Sequence, residues 1–360
     1  MGCSKPKTTP KSQESRLKLG QIETSNWRAE IDPFTRADAP RALLDLLTSV
    51  VPYLALSVAM YLSLDISYLL TLALAIPAAG FLVRTFIVFH DCGHGSFMPS
   101  ARANRWIGRF TALLVFAAYS KWRHEHAVHH ATAGDLDRRG VGDLPTMTVE
   151  EYLSKTPKAR LGYRLFRNPA IMFTIGPIWS MMISPRIIDR SKRKRLQNSG
   201  ILTNIVLVAW VVGWSFLIGP GAYFAVMFPA VLLAGAAGIW LFYVQHQFED
   251  AYWESGEQWS YADAALRGSS YLKLPKILQF FSGNIGLHHV HHLSAAVPNY
   301  RLQAAHDSLA VFADIPVLSL ADGLRATRLK LWDAERGRMI GWSELPREPG
   351  LRPAELGSAA

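Results

Sequence analysis

The chain has 360 residues, half of them hydrophobic, and a mean hydropathy of +0.11, which is apolar for a soluble protein. Its formal charge of +10 admits nucleic acid, an acidic partner or a membrane surface as the reason. Two cysteines, Cys3 and Cys92, exclude a disulfide framework and any sizeable thiolate metal site, so a bound metal must be held by His, Asp or Glu.

Residues 1–26 are polar and lack an apolar core, so they read as a tail and not as a signal peptide. The start "MGCSKP" opens like a myristoylation signal, but Pro6 stands where Ser or Thr is wanted, and the match is taken as chance. Four stretches reach the ~20 apolar residues that a helix needs to cross a bilayer: 42–64, 66–89, 201–218 and 222–244. They form two pairs with very short connections, at Asp65 and at Gly219–Gly221. The runs 106–118 and 170–183 are too short to span and are expected to be interfacial or re-entrant.

Neither short connection contains Lys or Arg. Arg84, near the end of the second span, is expected to snorkel. The remaining basic residues lie before the first span, between 90 and 200, or after 245, with "RSKRKR" (190–195) just ahead of the third span. The positive-inside rule then places both termini and the middle segment in the cytosol, and most of the net charge needs no charged partner. No nucleic-acid motif is present.

All twelve histidines fall on that cytosolic side. His90 and His94 follow the second span, His246 follows the fourth, and "HEHAVHH" (124–130) and "HHVHH" (288–292) are clusters. A helix brings positions i, i+3 and i+4 onto one face. That spacing selects His126, His129 and His130 in one cluster, His288, His291 and His292 in the other, and the pair His90 and His94. With His246 there are nine imidazoles, too many for one metal and about right for two. His124 and His289 fall outside the pattern and are expected to support the ligands or face solvent. His306 is expected to be structural, Asn284 to cap or turn the backbone, and Cys92 to pack. Asp91, Glu125, Asp135, Asp137, Glu249 and Asp250 lie close enough in sequence to orient histidines, but sequence does not pair them. An all-nitrogen site suits Fe, Zn, Cu or Ni. The setting at the mouth of a membrane bundle argues for iron, because lipid-dissolved substrates offer chiefly C–H bonds to attack.

The motifs "HDCGH", "HAVHH" and "HHVHH" resemble the three histidine boxes of the membrane fatty acid desaturases. The likeness continues through "HHATAGDLDRRGVGDLPTMTVEEY", "FYVQHQFEDAYWE", "GSSYLKLPKILQFFSGNIG" and "HHLSAAVPNYRLQAAHD", covering roughly 32–310. It implies an all-α integral membrane protein with four transmembrane helices as two hairpins and a cytosolic helical cap holding a di-iron centre. Residues 1–31 would be a disordered or interfacial tail, 32–310 the membrane domain, and 311–360 a C-terminal cytosolic helix and tail. His90 and His94 match the first box, His126, His129 and His130 the second, His288, His291 and His292 the third, and His246 the family's additional ligand. The H-x-x-x-H first box and the intact third box are most similar to bacterial Δ12 (omega-6) type acyl-lipid desaturases. Some animal members supply an Asn one turn before the additional histidine, where this chain has Phe242.

The resemblance implies O₂ as co-substrate and two electrons from ferredoxin, or a cytochrome b5-type donor, through a reductase. Its substrate would be the acyl chains of membrane lipids. The expected place is a bacterial cytoplasmic (inner) membrane. A di-iron hydroxylase or ketolase is the rival reading, separated by product mass. A metal transporter is the rival of another class. It is disfavoured because spans 201–218 and 222–244 contain no Asp, Glu, His, Lys or Arg.

Overall fold

The computed structural model describes residues 26–190 and 192–346. The tail through residue 25, with its myristoylation-like start, and residues 347–360 lie outside the described residues. The fold is mostly helical. Helix α1 (Trp27–Thr35) precedes two long helices, α2 (Ala39–Ser63) and α3 (Tyr68–His94), which pack along each other. Helices α4 (Ala101–Leu114) and α5 (Tyr119–Thr132) follow. Three shorter helices, α6 (Val149–Leu153), α7 (Pro157–Phe166) and α8 (Pro169–Pro177), lead into a π-helical turn, Ile178–Ile183. Two more long helices come next, α9 (Lys194–Ile218) and α10 (Pro220–His246). By length and composition α2, α3, α9 and α10 could each cross a membrane.

The long helices outrun the apolar stretches read from sequence. Helix α3 continues past Phe89 to His94, and α9 begins at Lys194, ahead of residue 201. Hydropathy reports only the lipid-matched part of a helix, while the polar turns at its ends remain helical until a residue stops them. At α3 that residue is Gly95, at φ +82°, a left-handed conformation that costs glycine nothing. Its N–H donates to Asp91 O at 2.9 Å, closing the helix one residue after His94.

Helix α3 is the centre of the bundle. Half of its apolar window is buried inside the protein (50%), against 6% for α9. Arg84, expected to snorkel, is instead pinned inside the protein. It pairs with Asp45 of α2 and donates to Phe280 O, with its guanidinium 4.1 Å from the centre of the Phe280 ring. A carboxylate one helix away outcompetes the interface for that charge.

The remaining helices, α11 (Tyr261–Arg267), α12 (Lys276–Phe281), α13 (His288–Leu293), α14 (Leu302–Ser308) and α15 (Leu320–Ala326), are short. Strands interrupt them, which the all-α reading did not foresee. Strand β1 (Met147–Thr148) runs parallel to β4 (Leu329–Asp333), which pairs antiparallel with β5 (Arg338–Gly341); β2 (Tyr271–Leu272) pairs with β3 (Val317–Leu318). So the segment after 310 holds α15 and then a β-hairpin, where helix and tail were expected. Strands of two to five residues are too short to show an alternating pattern, and four consecutive residues of β4 are buried, which removes the alternation. Arg167, fully buried, ties this hairpin to the end of α10. Its guanidinium donates to Leu329 O at 3.3 Å, Tyr243 Oη at 3.0 Å and Gln247 Oε1 at 2.9 Å, on both sides of His246.

Candidate metal centre

Nine histidines converge where the ends of α3 and α10 meet α5 and α13. They form two groups, each with its ligand nitrogens within 4.8 Å of one another. One group is His90, His94, His126, His130 and His291; the other is His129, His246, His288 and His292. The two short helices divide their side chains between the groups. Helix α5 gives the i, i+4 pair His126 and His130 to the first group and His129 to the second. Helix α13 gives the pair His288 and His292 to the second and His291 to the first.

The rings present Nε2 to one another. His90 and His126 Nε2 are 2.9 Å apart, His126 and His130 3.2 Å, and His130 and His291 2.9 Å. In the second group the separations are 3.2 Å between His129 and His246 and 3.0 Å between His246 and His288. The partners at Nδ1 decide what those contacts mean. His129 Nδ1 faces the Asp143 carboxylate and His246 Nδ1 faces Gly268 O, 3.2 Å away. Both must therefore donate from Nδ1, and in a neutral imidazole that leaves a lone pair on each Nε2. Two lone pairs then face each other with no proton between them. His90, whose Nδ1 donates to Asp91 Oδ1 at 3.0 Å, is in the same state. His94 and His292 each keep a buried Nε2 with no partner among the described residues. A cation between these nitrogens resolves the conflict, and the donor set fits a metal.

Burial first, and neighbouring histidines second, hold His126, His130, His288, His291 and His292 well below the usual histidine pKa. They are neutral at neutral pH, the form that binds metals. Trp122 stacks on His126 with ring centres 4.4 Å apart, and Phe242 lies 5.1 Å from His129 and 5.3 Å from His246. These aromatic walls keep water from the rings.

The described histidines outside the two groups number three. His124 is exposed on α5. His289 is fully buried and turned away, its Nε2 2.9 Å from His306 Nδ1. Asn284, at φ +59°, turns the backbone before α13, and its side chain donates to Asn299 O at 3.2 Å. Of the flagged carboxylates, Asp91 reaches a histidine ring. Glu125 pairs with Lys192 at 2.8 Å, Asp135 with Arg138, and Glu249 with Arg338 at 2.8 Å, while Asp137 accepts from Gly256 N at 2.8 Å. The second carboxylate at the site, Asp143, was missed. It sits fourteen residues beyond His129, in the "GVGD" turn.

The sequence model of the fatty acid desaturases matches residues 66–316. The chain belongs to the fatty acid desaturase family. It is 42% identical to a fatty acid desaturase of Bacillus subtilis (strain 168), over 91% of this chain and 93% of that protein. Two proteins of Synechocystis sp. are also similar. One is an sn-1 oleoyl-lipid 12-desaturase, 27% identical over 63% of this chain and 65% of the relative. The other is an sn-1 acyl-lipid omega-3 desaturase (ferredoxin), 26% identical over 62% of this chain and 63% of the relative. The protein is thus an oxidoreductase of acyl chains, with four helices apolar and long enough to cross a membrane. Members of the family require iron, and the two histidine groups could hold a metal.

Proposed function

We propose that this desaturase introduces a cis double bond into an oleoyl chain carried by a membrane lipid, on the methyl side of the existing one. The observation that carries the site is the pair of facing lone pairs at His129 and His246, with a further lone pair at His90 Nε2. Two iron ions would be held, one by His90, His94, His126, His130 and His291, the other by His129, His246, His288 and His292. Iron bound there supplies the reduction of O₂ with two electrons, by which two hydrogens leave adjacent methylenes and two waters form. The protein's own part is positional. Asp91, Asp143 and Gly268 O hold Nδ1 protons and so keep Nε2 free, while Trp122 and Phe242 exclude water.

The Δ12 position is supported by relatives of 24–27% identity named oleoyl-lipid 12-desaturases; the 42% relative's name gives no position. Ferredoxin, named for the omega-3 relative, is the proposed electron donor, with a cytochrome b5-type protein as the alternative and a reductase behind either. The proposed topology is two membrane hairpins with a helical cap and both termini in the cytosol, in a bacterial inner membrane, and the basic residues support its orientation. The connection Leu64–Ser67 has none and neither does Gly219, whereas 190–195 carries five.

Expression in a host that makes oleate but no diunsaturated lipid tests the reading. A new diunsaturated chain, mapped by mass spectrometry, is the expected product. A hydroxylated chain, or a first double bond placed only in saturated chains, would refute the assigned reaction or position.

A further inference from the structure

Helices α9 and α10 do not close on each other. Between them and the irregular stretch that ends at Arg186 lies a cavity of about 490 Å³, within the ~300–1,000 Å³ usual for small-molecule sites. Leu207 and Val211 of α9 and Tyr223, Met227 and Val231 of α10 form most of an apolar wall, with Met182 completing it. No histidine lines it, so it is separate from the metal centre.

Two of its polar residues, Arg186 and Asn204, meet in it, and a third, Tyr223, keeps a buried hydroxyl with no partner among the described residues. Arg186 Nη2 donates to Phe116 O at 2.6 Å, but the buried Nε and Nη1 have no partner among the described residues. Asn204 Nδ2 donates to Arg186 O at 2.9 Å, and Asn204 Oδ1 is left buried and unpaired. That bond fixes the depth of the arginine, because Asn204 lies one turn inside the apolar run that begins at Ile201. A guanidinium with open donors just inside an apolar zone calls for an anion. The wall calls for hydrocarbon. From Asn204 to Val212 the groove follows α9 for about 12 Å, room for the upper part of one acyl chain. A chain there would also cover part of α9, the long helix that the protein itself buries least.

We propose that this cavity is a lipid site apart from the metal centre, holding one long-chain fatty-acid carboxylate with its head at Arg186 and its tail between α9 and α10. One chain fits the gap between two helices. A diacyl phospholipid would have to leave its second chain and its larger head outside.

The test needs no turnover. Full-length protein, purified in a neutral detergent, is titrated with radiolabelled palmitate and with hexadecanol, which has the same tail and no charge. Palmitate should bind saturably. Arg186→Gln should weaken palmitate about ten-fold and leave hexadecanol unchanged, while Val211→Trp, which fills the groove without touching the arginine, should weaken both. Where Arg186→Gln does not yield folded protein, Arg186→Met, which also removes the charge, and Val211→Trp carry the comparison. Unchanged palmitate binding in Val211→Trp would overturn the site. Equal loss of palmitate and hexadecanol in the arginine variants would overturn the role of the charge. Displacement of palmitate by an equal concentration of phosphatidylglycerol would overturn the single-chain ligand in favour of a phospholipid.

Discussion

Replacing Asp91 with Asn changes one atom and should loosen one metal site. The Asp91 carboxylate, 1% exposed, accepts three N–H donors. Oδ1 takes His90 Nδ1 at 3.0 Å, and Oδ2 takes Asn299 N at 2.7 Å and Asn299 Nδ2 at 3.0 Å. An amide has a single oxygen, so it can serve His90 or Asn299 but not both. Facing His90, it would abandon two buried donors at about 1–3 kcal/mol each. Facing Asn299, it presents its NH₂ to His90 and forces the other tautomer, with Nδ1 accepting and Nε2 protonated. The second arrangement costs the fold less, and it removes the lone pair that His90 turns toward His126. Loss of such an orienting partner typically weakens metal binding ~10–100-fold, or about 1.4–2.7 kcal/mol. Iron retained by purified Asp91→Asn, measured against rising chelator, should fall in two steps, with the five-histidine group emptying first. A single step at the wild-type chelator concentration would show that the carboxylate does not set the tautomer of His90.

Alanine at any one of His90, His94, His126, His129, His130, His246, His288, His291 or His292 should abolish diunsaturated product in the expression host, whereas His124→Ala, on an exposed position, should keep most of it. Gly142 has φ +76°, and a Cβ there would lie 2.6 Å from Glu125 O, a backbone atom that cannot yield. Gly142→Ala should therefore cost about 1–3 kcal/mol of strain and displace Asp143, so that iron analysis finds the loss in the four-histidine group. Lys330 is 3% exposed, and burial, then the neighbouring Arg167, pushes its amine down to about 7. Between that value and ~10.4 the unfolded chain binds more protons than the folded one, so stability rises with pH across the window. Thermal unfolding should shift upward from pH 7.5 to about 9.5 in the wild type, and Lys330→Met should flatten that shift.

What could be read from sequence divides along a physical line. That eight of the nine histidines gather was legible because helical spacing is a local property, His246 was legible from its place at the end of an apolar run, and the four apolar runs were legible because a bilayer demands a fixed length of hydrocarbon. The division of those histidines into a group of five and a group of four was not. His129 leaves its neighbour His130 for the other group, where it meets His246 of α10, while His130 stays with His90 and His94 of α3, and no spacing within one helix encodes how helices cross. Asp143 was missed for a related reason. It is carried to His129 by a loop that bends through Gly140 at φ +118° and Gly142 at φ +76°. The two glycines ahead of the aspartate were the available signal, since a tight turn back toward the preceding helix is what their conformations permit. Proximity in sequence was the wrong criterion for the other carboxylates. Glu125 lies on the same helix as the second box, yet its carboxylate pairs with Lys192 at 2.8 Å and not with a histidine ring. A ligand's orienting partner is chosen by the direction in which Nδ1 points once Nε2 is committed to the site, and that direction leads out of the helix to whichever element packs there.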